Sequence, residues 1–557
     1  MEMILSPLNW LLSNAVPFVI LLGILIFVHE LGHFLVARMC GVRVEVFSLG
    51  FGKKILKYKK GDTVYALSIV PLGGYVKMFG EQPGEAIAEA DKKVSFTHKN
   101  VWQRIAVVLA GPLMNFFFAI LIFFFVAMIG EEAKTPVLGD VSADSAAYAA
   151  GFRSGDRVLS VNGTSVRTWE EIQKNLSLKT ETPLHVDFVV QREGAQEQKT
   201  ISTEAKPEAN PNILSTYGYV ATVEGISPLS AGTTVGINSG SPLAAMGIHT
   251  GDTITAVNGQ KITYWRELMP LLEKAPTGQA LSLDVTREGE KEGQDKTFTV
   301  TLAAGSTSSF AAQNLGIESS ELYINKTLKD SPAELAGLHA LDRIDAVNGV
   351  KMKKWEDIVN SVKAYDGTKP LAMDITRDGK AMRFDLNPKM TKQTSPNGAE
   401  DKRYTIGIVP VVNIAMPEMI TVKADNLGQG FVRGVTKTWD VSVMTVMSFV
   451  RLFEKKISPK NIGGVISIGQ AASETFKLGL SQFLQMMAII SINLFILNLL
   501  PVPVLDGGHL VFYVIELVKG APLSLRKMEV AQQVGLAILM SLMVFALFND
   551  FTRILGL

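Results

Sequence analysis

The 557 residues suffice for several domains, 47% of them are hydrophobic and only 19% charged, and the mean hydropathy is +0.23. So oily a chain excludes an ordinary soluble enzyme and asks for a membrane. A net charge near +1 with no basic patch excludes nucleic acid as a partner, and a single cysteine, Cys40, excludes an intrachain disulfide and a thiolate metal cluster.

The first uncharged apolar run is Leu8–Val28, and three more follow at Ile105–Gly130, Leu478–Leu505 and Val530–Asn549. Each can cross a hydrocarbon core of about 30 Å as a helix. Glu2 is the only charge before the first run and no small-residue cleavage site follows it, so that run is expected to stay attached rather than act as a signal peptide. At its inner end stands His29-Glu30-Leu31-Gly32-His33. On a helix, residues four apart share a face, so both imidazoles can point at one metal while Glu30 stands beside it. Ionisable groups inside an apolar span are costly and are kept for function. Zinc suits two nitrogen ligands and one oxygen, with a fourth position left for water. Glu30 would take the water's proton and pass it to a leaving nitrogen, while zinc would lower that water's pKa and polarise a carbonyl. The same groups could instead serve helix packing or proton transfer in a transporter.

Between the first two spans, residues 51–104 hold ten Lys/Arg against five Asp/Glu, so this loop is cytoplasmic by the positive-inside rule. The N-terminus, the long middle region and the C-terminus then lie outside. Residues 44–80 alternate and carry paired glycines, in FSLGFG and PLGGYVKM, and read as strands at the inner membrane face. An exposed edge there could hold an unwound substrate as an extended strand. His98 reads as solvent-facing, Cys40 as packing or interfacial, and His185 as packing.

Outside the membrane one pattern recurs three times: GFRSGDRVLSVNG at 151–163, GIHTGDTITAVNG at 247–259 and GLHALDRIDAVNG at 337–349, followed at equal distance by Trp169, Trp265 and Trp355. A Gly-led turn and an Asp precede alternating apolar residues, Asn-Gly closes a tight turn, the Trp opens an amphipathic helix, and 181–190, 281–300 and 371–386 read as closing strands. Each copy is expected to form a small barrel with packed helices, with His249 and His339 as fold residues. The third copy has Ala340-Leu341 where the others end in Gly, so its turn is expected to differ. These modules resemble PDZ domains, which implies either peptide binding by strand addition or steric filtering. Residues 428–458 read as an amphipathic helix on the outer membrane side.

The third apolar run leads through Asn498-Leu499-Leu500-Pro501-Val502-Pro503-Val504-Leu505 into Asp506-Gly507-Gly508. Asp506 is the best candidate for the missing third ligand, because its carboxylate falls at the same membrane depth as His29 and His33. Asn498 could donate a hydrogen bond to a substrate backbone or a developing oxyanion, or serve helix–helix bonding. His509 is a weaker candidate for a supporting group.

Together, H-E-x-x-H, FSLGFG, PLGGYVKM, Gly111-Pro112-x-x-Asn115 and Asn498…Pro501-x-Pro503-x-Leu505-Asp506-Gly507 resemble the site-2 protease family, and within it the bacterial regulator of sigma-E protease branch with PDZ modules. The resemblance implies a zinc-dependent intramembrane endopeptidase with His29, His33 and Asp506 as ligands and Glu30 as base. It implies single-span membrane protein substrates, of anti-sigma factor or remnant signal peptide type, cut after an upstream site-1 type protease. It also implies a seat in the bacterial inner membrane, with the lipid bilayer as partner and a monomer as working form. The chain departs from that branch in having three module copies where two are usual.

The expected fold is a polytopic α-helical membrane protein with four transmembrane helices, a cytoplasmic-side β region and three PDZ-like α/β modules. Its expected segments are a first transmembrane helix at 1–40, the β region and loop at 41–103, and a second transmembrane helix at 104–130. Modules follow at 131–210, 211–305 and 306–390, then a linker with a membrane-proximal helix at 391–477. A third transmembrane helix carrying Asp506 at 478–507, a cytoplasmic loop at 508–529 and a fourth transmembrane helix at 530–549 complete the chain. The rival readings are a transporter or proton relay using Glu30 and Asp506, and a non-catalytic PDZ scaffold.

Overall fold

Among the described residues four helices are apolar and long enough to cross a membrane: Ala15–Met39 within α1 (Glu2–Met39), α2 (Val101–Ile129), Leu480–Asn498 and Leu525–Leu555. The computed structural model describes residues 2–82, 87–192, 197–289, 294–394 and 400–555. It divides into a helical unit (Met1–Glu132, Asn212–Thr216 and Thr421–Leu557) and a β-rich unit (Ala133–Pro211 and Tyr217–Ile420). In the helical unit the later helices are α3 (Leu427–Phe453), α4 (Val465–Leu478), α5 (Leu480–Asn498), α6 (Asp506–Lys519) and α7 (Leu525–Leu555).

Small residues set how closely these helices meet, as expected where lipid removes the hydrophobic drive between helices. A methyl added at Gly32 of α1 would lie 2.3 Å from the Ala110 carbonyl oxygen of α2, so the two backbones touch there. In α3, Gly430, Gly434, Thr438 and Ser442 recur every four residues and are buried, and a methyl on Gly434 would stand 2.8 Å from the Ile120 oxygen of α2. The expected surface helix at 428–458 is therefore α3, docked lengthwise on a span through a ridge of small residues. Leu21, Leu25, Ile122, Phe123, Phe483 and Ile492 form the apolar core among α1, α2 and α5. At its far end α7 is pinned by Asp550, buried and accepting from the backbone N–H groups of Gly464 (2.9 Å) and Ile466 (3.0 Å).

The third span is shorter than expected. It ends at Asn498, and Asp506 does not close it but opens the separate helix α6, which occupies much of the expected loop at 508–529. Pro501 and Pro503 lack the N–H that would continue α5, so the chain turns and restarts. Gly507 and Gly508 allow the restart to fold tightly, since a methyl at either would come within 2.3 Å of the Leu500 or Val502 oxygen.

The inner β region forms as expected from two long antiparallel strands, β1 (Val44–Lys60) and β2 (Thr63–Met78). Each bends back on itself. Val46 faces both Val64 and Lys77, so residues 44–49 are flanked by both ends of β2. The run from Gly74 to Met78 is left as an edge with no further strand beside it among the described residues.

In the β-rich unit the repeated sequence builds the same corner three times. Asn162, Asn258 and Asn348 have φ of 49°, 50° and 51°, each followed by a left-handed glycine, the two-residue turn that Asn-Gly favours. Their side-chain oxygens accept from the N–H groups of Asp187, Ser282 and Ala372. Buried Asp156, Asp252 and Asp342 accept from Arg192, Arg287 and Arg377 at 3.0, 2.7 and 2.6 Å. The carboxylate holds each guanidinium's pKa above its ordinary value. The tryptophans open helices Trp169–Asn175, Trp265–Lys274 and Trp355–Lys363.

Three expectations need correction here. The strands do not close into a barrel within each copy: open four-stranded sheets form around Thr253–Val257 and Arg343–Val347, and a six-stranded one around Arg157–Val161. Strand twist and short connections favour these open sheets, each packed on its helix. The third corner keeps the shape of the others, with Leu341 at φ +68 where Gly155 and Gly251 have +82 and +97, and its N–H bonds the Ile324 oxygen at 2.7 Å. His185 stands exposed on its strand, 3.8 Å from Asp187, instead of packing. His249 and His339 act as fold residues, their backbone N–H groups capping Asp252 and Asp342 at 2.8 Å. The link 290–293 in the second closing segment lies outside the described residues.

Candidate metal centre

His29 and His33 lie one turn apart on α1, and their rings meet edge to face with centroids 4.8 Å apart. Their Nε2 atoms are 3.2 Å apart. Asp506 brings Oδ2 to 3.2 Å from His29 Nε2 and 3.6 Å from His33 Nε2. These three are the one group of metal-capable side chains found among the described residues, all with ligand atoms within 4.8 Å of each other.

The donor set fits zinc by size as well as by chemistry. Ligands at roughly 2.0–2.1 Å from a tetrahedral ion are spaced about 3.3 Å from each other. The observed 3.2, 3.2 and 3.6 Å are the edges of such a face. Two imidazole nitrogens and one carboxylate oxygen leave the fourth corner free, the pattern of catalytic rather than structural zinc.

Several features hold this face. His33 is 9% exposed, and its Nδ1 bonds the Val107 carbonyl of α2 at 2.8 Å, which leaves Nε2 for a metal. Pro112 has no N–H to give the Val108 carbonyl one turn back, so the α2 ladder is interrupted at the residue after Val107. Gly111 makes room for the ring: a methyl there would stand 2.2 Å from His33 Nε2. Asp506 lies in the first turn of α6, where the helix dipole favours a negative charge. That helix is tied back to α2 by the Arg104–Glu516 ion pair at 2.6 Å, with Arg104 also over the Tyr513 ring.

Glu30 shares α1 with the histidines and faces the β-region. A methyl on Gly74 would stand 3.1 Å from Glu30 Cγ, so the strand edge runs past the carboxylate, which accepts from the Val76 N–H. Asn498 ends α5, half-buried, its side chain without a hydrogen bond among the described residues. His509 does not join the trio; it lines a cavity of about 320 Å³ with Val504, Glu529, Gln532, Gln533 and Leu536. His98 is exposed and bonds Ser95. Val107 escaped the sequence reading, Gly32 entered it without a role, and Gly74 only among the paired glycines of PLGGYVKM. Only glycine's presence inside an apolar span could have signalled Gly32, and a backbone carbonyl leaves no signal at all.

The model of the family described as "Peptidase family M50" matches residues 17–542. Protease RseP of Yersinia pestis is 32% identical over 550 residues, covering 98% of this chain and 99% of its own. The regulator of sigma-E protease RseP of Salmonella typhimurium is 32% identical over 552 residues, with the same coverage. Among solved structures, the PDZ domain of an SdrC-like protein from Listeria monocytogenes matches 17% of this chain and 90% of its own, at 19% identity and a TM-score of 0.14, too slight a likeness to bear on the fold.

Proposed function

The chain belongs to peptidase family M50, a zinc-dependent intramembrane protease of the bacterial inner membrane, and on that premise we propose how its residues divide the work. His29, His33 and Asp506 hold the zinc. When bound, the ion supplies Lewis acidity to the attacking water and to the scissile carbonyl. Glu30 takes the proton of the water and gives it to the leaving nitrogen. Asn498 donates to the carbonyl oxygen as negative charge develops on it. The observation that carries this reading is the spacing of 3.2–3.6 Å among the three ligand atoms, two on the apolar span α1 beside Glu30 and the third at the start of α6.

A helical substrate shields its own peptide bonds, so it has to be unwound before attack. An extended substrate adds as a strand along the edge from Gly74 to Met78, which passes Glu30, and takes over the Val76 and Met78 N–H groups that Glu30 and Glu81 hold without it. The substrates are single-span membrane proteins, of anti-sigma factor or remnant signal peptide type, first shortened outside by another protease. The three repeats are PDZ-like modules at about 131–210, 211–305 and 306–390 that hold or exclude the outer part of a substrate. Both chain ends lie on the periplasmic side, and the enzyme works as a monomer.

The test is cleavage of a truncated single-span substrate in detergent by the native chain, Glu30→Gln and Asp506→Asn. We expect Glu30→Gln to lose roughly 100- to 10,000-fold in rate while keeping its zinc, and Asp506→Asn to lose both. Cutting by Glu30→Gln at the native rate would remove Glu30 as the base. A chain that binds no zinc and cuts nothing would favour the transport reading.

A further inference from the structure

Both histidines turn Nε2 toward Asp506, so in a neutral imidazole ligating through that atom the proton sits on Nδ1. A ligand histidine then needs an acceptor for this N–H, and the acceptor fixes both tautomer and ring orientation. His33 has one in the Val107 carbonyl at 2.8 Å. The group facing His29 Nδ1 is the side-chain amide of Asn115, 3.4 Å away on α2.

Asn115 is fully buried, and its amide nitrogen is the atom turned to His29, while its Oδ1 is buried without a partner. That arrangement sets a donor against a donor. Amide oxygen and nitrogen exchange positions by a half-turn of the side chain. We propose that Asn115 presents Oδ1, not its NH2 group, to His29 and accepts the Nδ1 proton, so that it is the positioning residue for this ligand. The inference rests on the zinc reading of the trio and extends it to a residue that touches neither metal nor substrate.

The placement of Asn115 supports the role. Val107, Gly111 and Asn115 follow each other at intervals of four, on one face of α2. Val107 accepts from His33, Gly111 leaves space for its ring, and Asn115 meets His29. The backbone carbonyl of Asn115 accepts from Ser491 Oγ of α5 at 2.8 Å, which fixes the residue independently of its side chain. One face of the second span thus orients both ligands of the first.

The test is a zinc competition titration on the full chain in detergent, comparing native protein, Asn115→Leu, Asn115→Asp and Asp506→Ala. Asn115→Leu keeps the size and removes the acceptor, and its zinc Kd should rise about 10- to 100-fold. Asn115→Asp keeps an acceptor oxygen and should stay within about threefold of native, since a carboxylate is a usual partner behind a ligand histidine. Thermal melting of the metal-free proteins controls for folding. Native affinity in Asn115→Leu, or equal weakening in the Leu and Asp variants, would overturn the proposal and leave Asn115 as packing. If the native chain binds zinc and Asp506→Ala does not, the trio stands and the Asn115 variants alone decide. If the native chain itself binds none, the trio fails and the positioning role with it.

Discussion

Gly111→Ala is the smallest change that should silence the enzyme without touching a functional group. The added methyl would stand 2.2 Å from His33 Nε2, 2.5 Å from Cε1 and 2.8 Å from Cδ2. Non-bonded atoms settle about 3.5 Å apart, so the ring has to retreat by roughly 1.3 Å. Metal–ligand distances tolerate about 0.2 Å, so the shift removes His33 from the trio and also strains its 2.8 Å bond to Val107. A misplacement near 1 Å costs about 100-fold in rate, and cleavage should fall by at least that much, with zinc affinity falling in parallel. The assay pairs zinc titration with cleavage of a single-span substrate in detergent. Gly23→Ala on α1 is the control, because a methyl there meets nothing within 4 Å, and it should leave both readouts unchanged. Gly111→Ala with native zinc affinity and native cleavage would refute the packing argument for the site.

Two further predictions concern the β-rich unit. Arg377→Ala removes the cation beside the Asp342 carboxylate, which is itself fully buried and keeps the His339 N–H, and should destabilise the third repeat by roughly 3 kcal/mol; hydrogen exchange across Arg343–Val347 and Leu371–Arg377 should quicken while zinc affinity holds. Leu341→Gly relieves a left-handed leucine that is 55% exposed, and should stabilise the same repeat by up to about 1 kcal/mol, read as a higher melting temperature.

Much of this was legible because strong physical patterns carried it. The four spans announce themselves by length, and H-E-x-x-H by helical spacing. The repeat declares its Asn-Gly turn and its Asp. Even the arginines recur in place, in Gln191-Arg192-Glu193, Thr286-Arg287-Glu288 and Thr376-Arg377-Asp378, standing 36, 35 and 35 residues after their aspartates. Their pairing was missed because it joins residues distant in the chain, which no local period reveals. The break at Asn498 was hidden by apolar residues running on to Leu505; the prolines were the better guide. The docking of α3 was missed because its amphipathic pattern reads equally as a helix lying on a membrane, and only the four-residue spacing of Gly430, Gly434, Thr438 and Ser442 distinguishes the two. Val107 acts through its backbone, so its identity carries no trace of its role.

The most direct test of the central claim is the metal content and cleavage activity of the purified full chain, measured before chelation, after it and after zinc is returned. The account predicts one zinc per chain, loss of cleavage on removal and recovery with one equivalent. Undiminished cleavage by metal-free protein would contradict it.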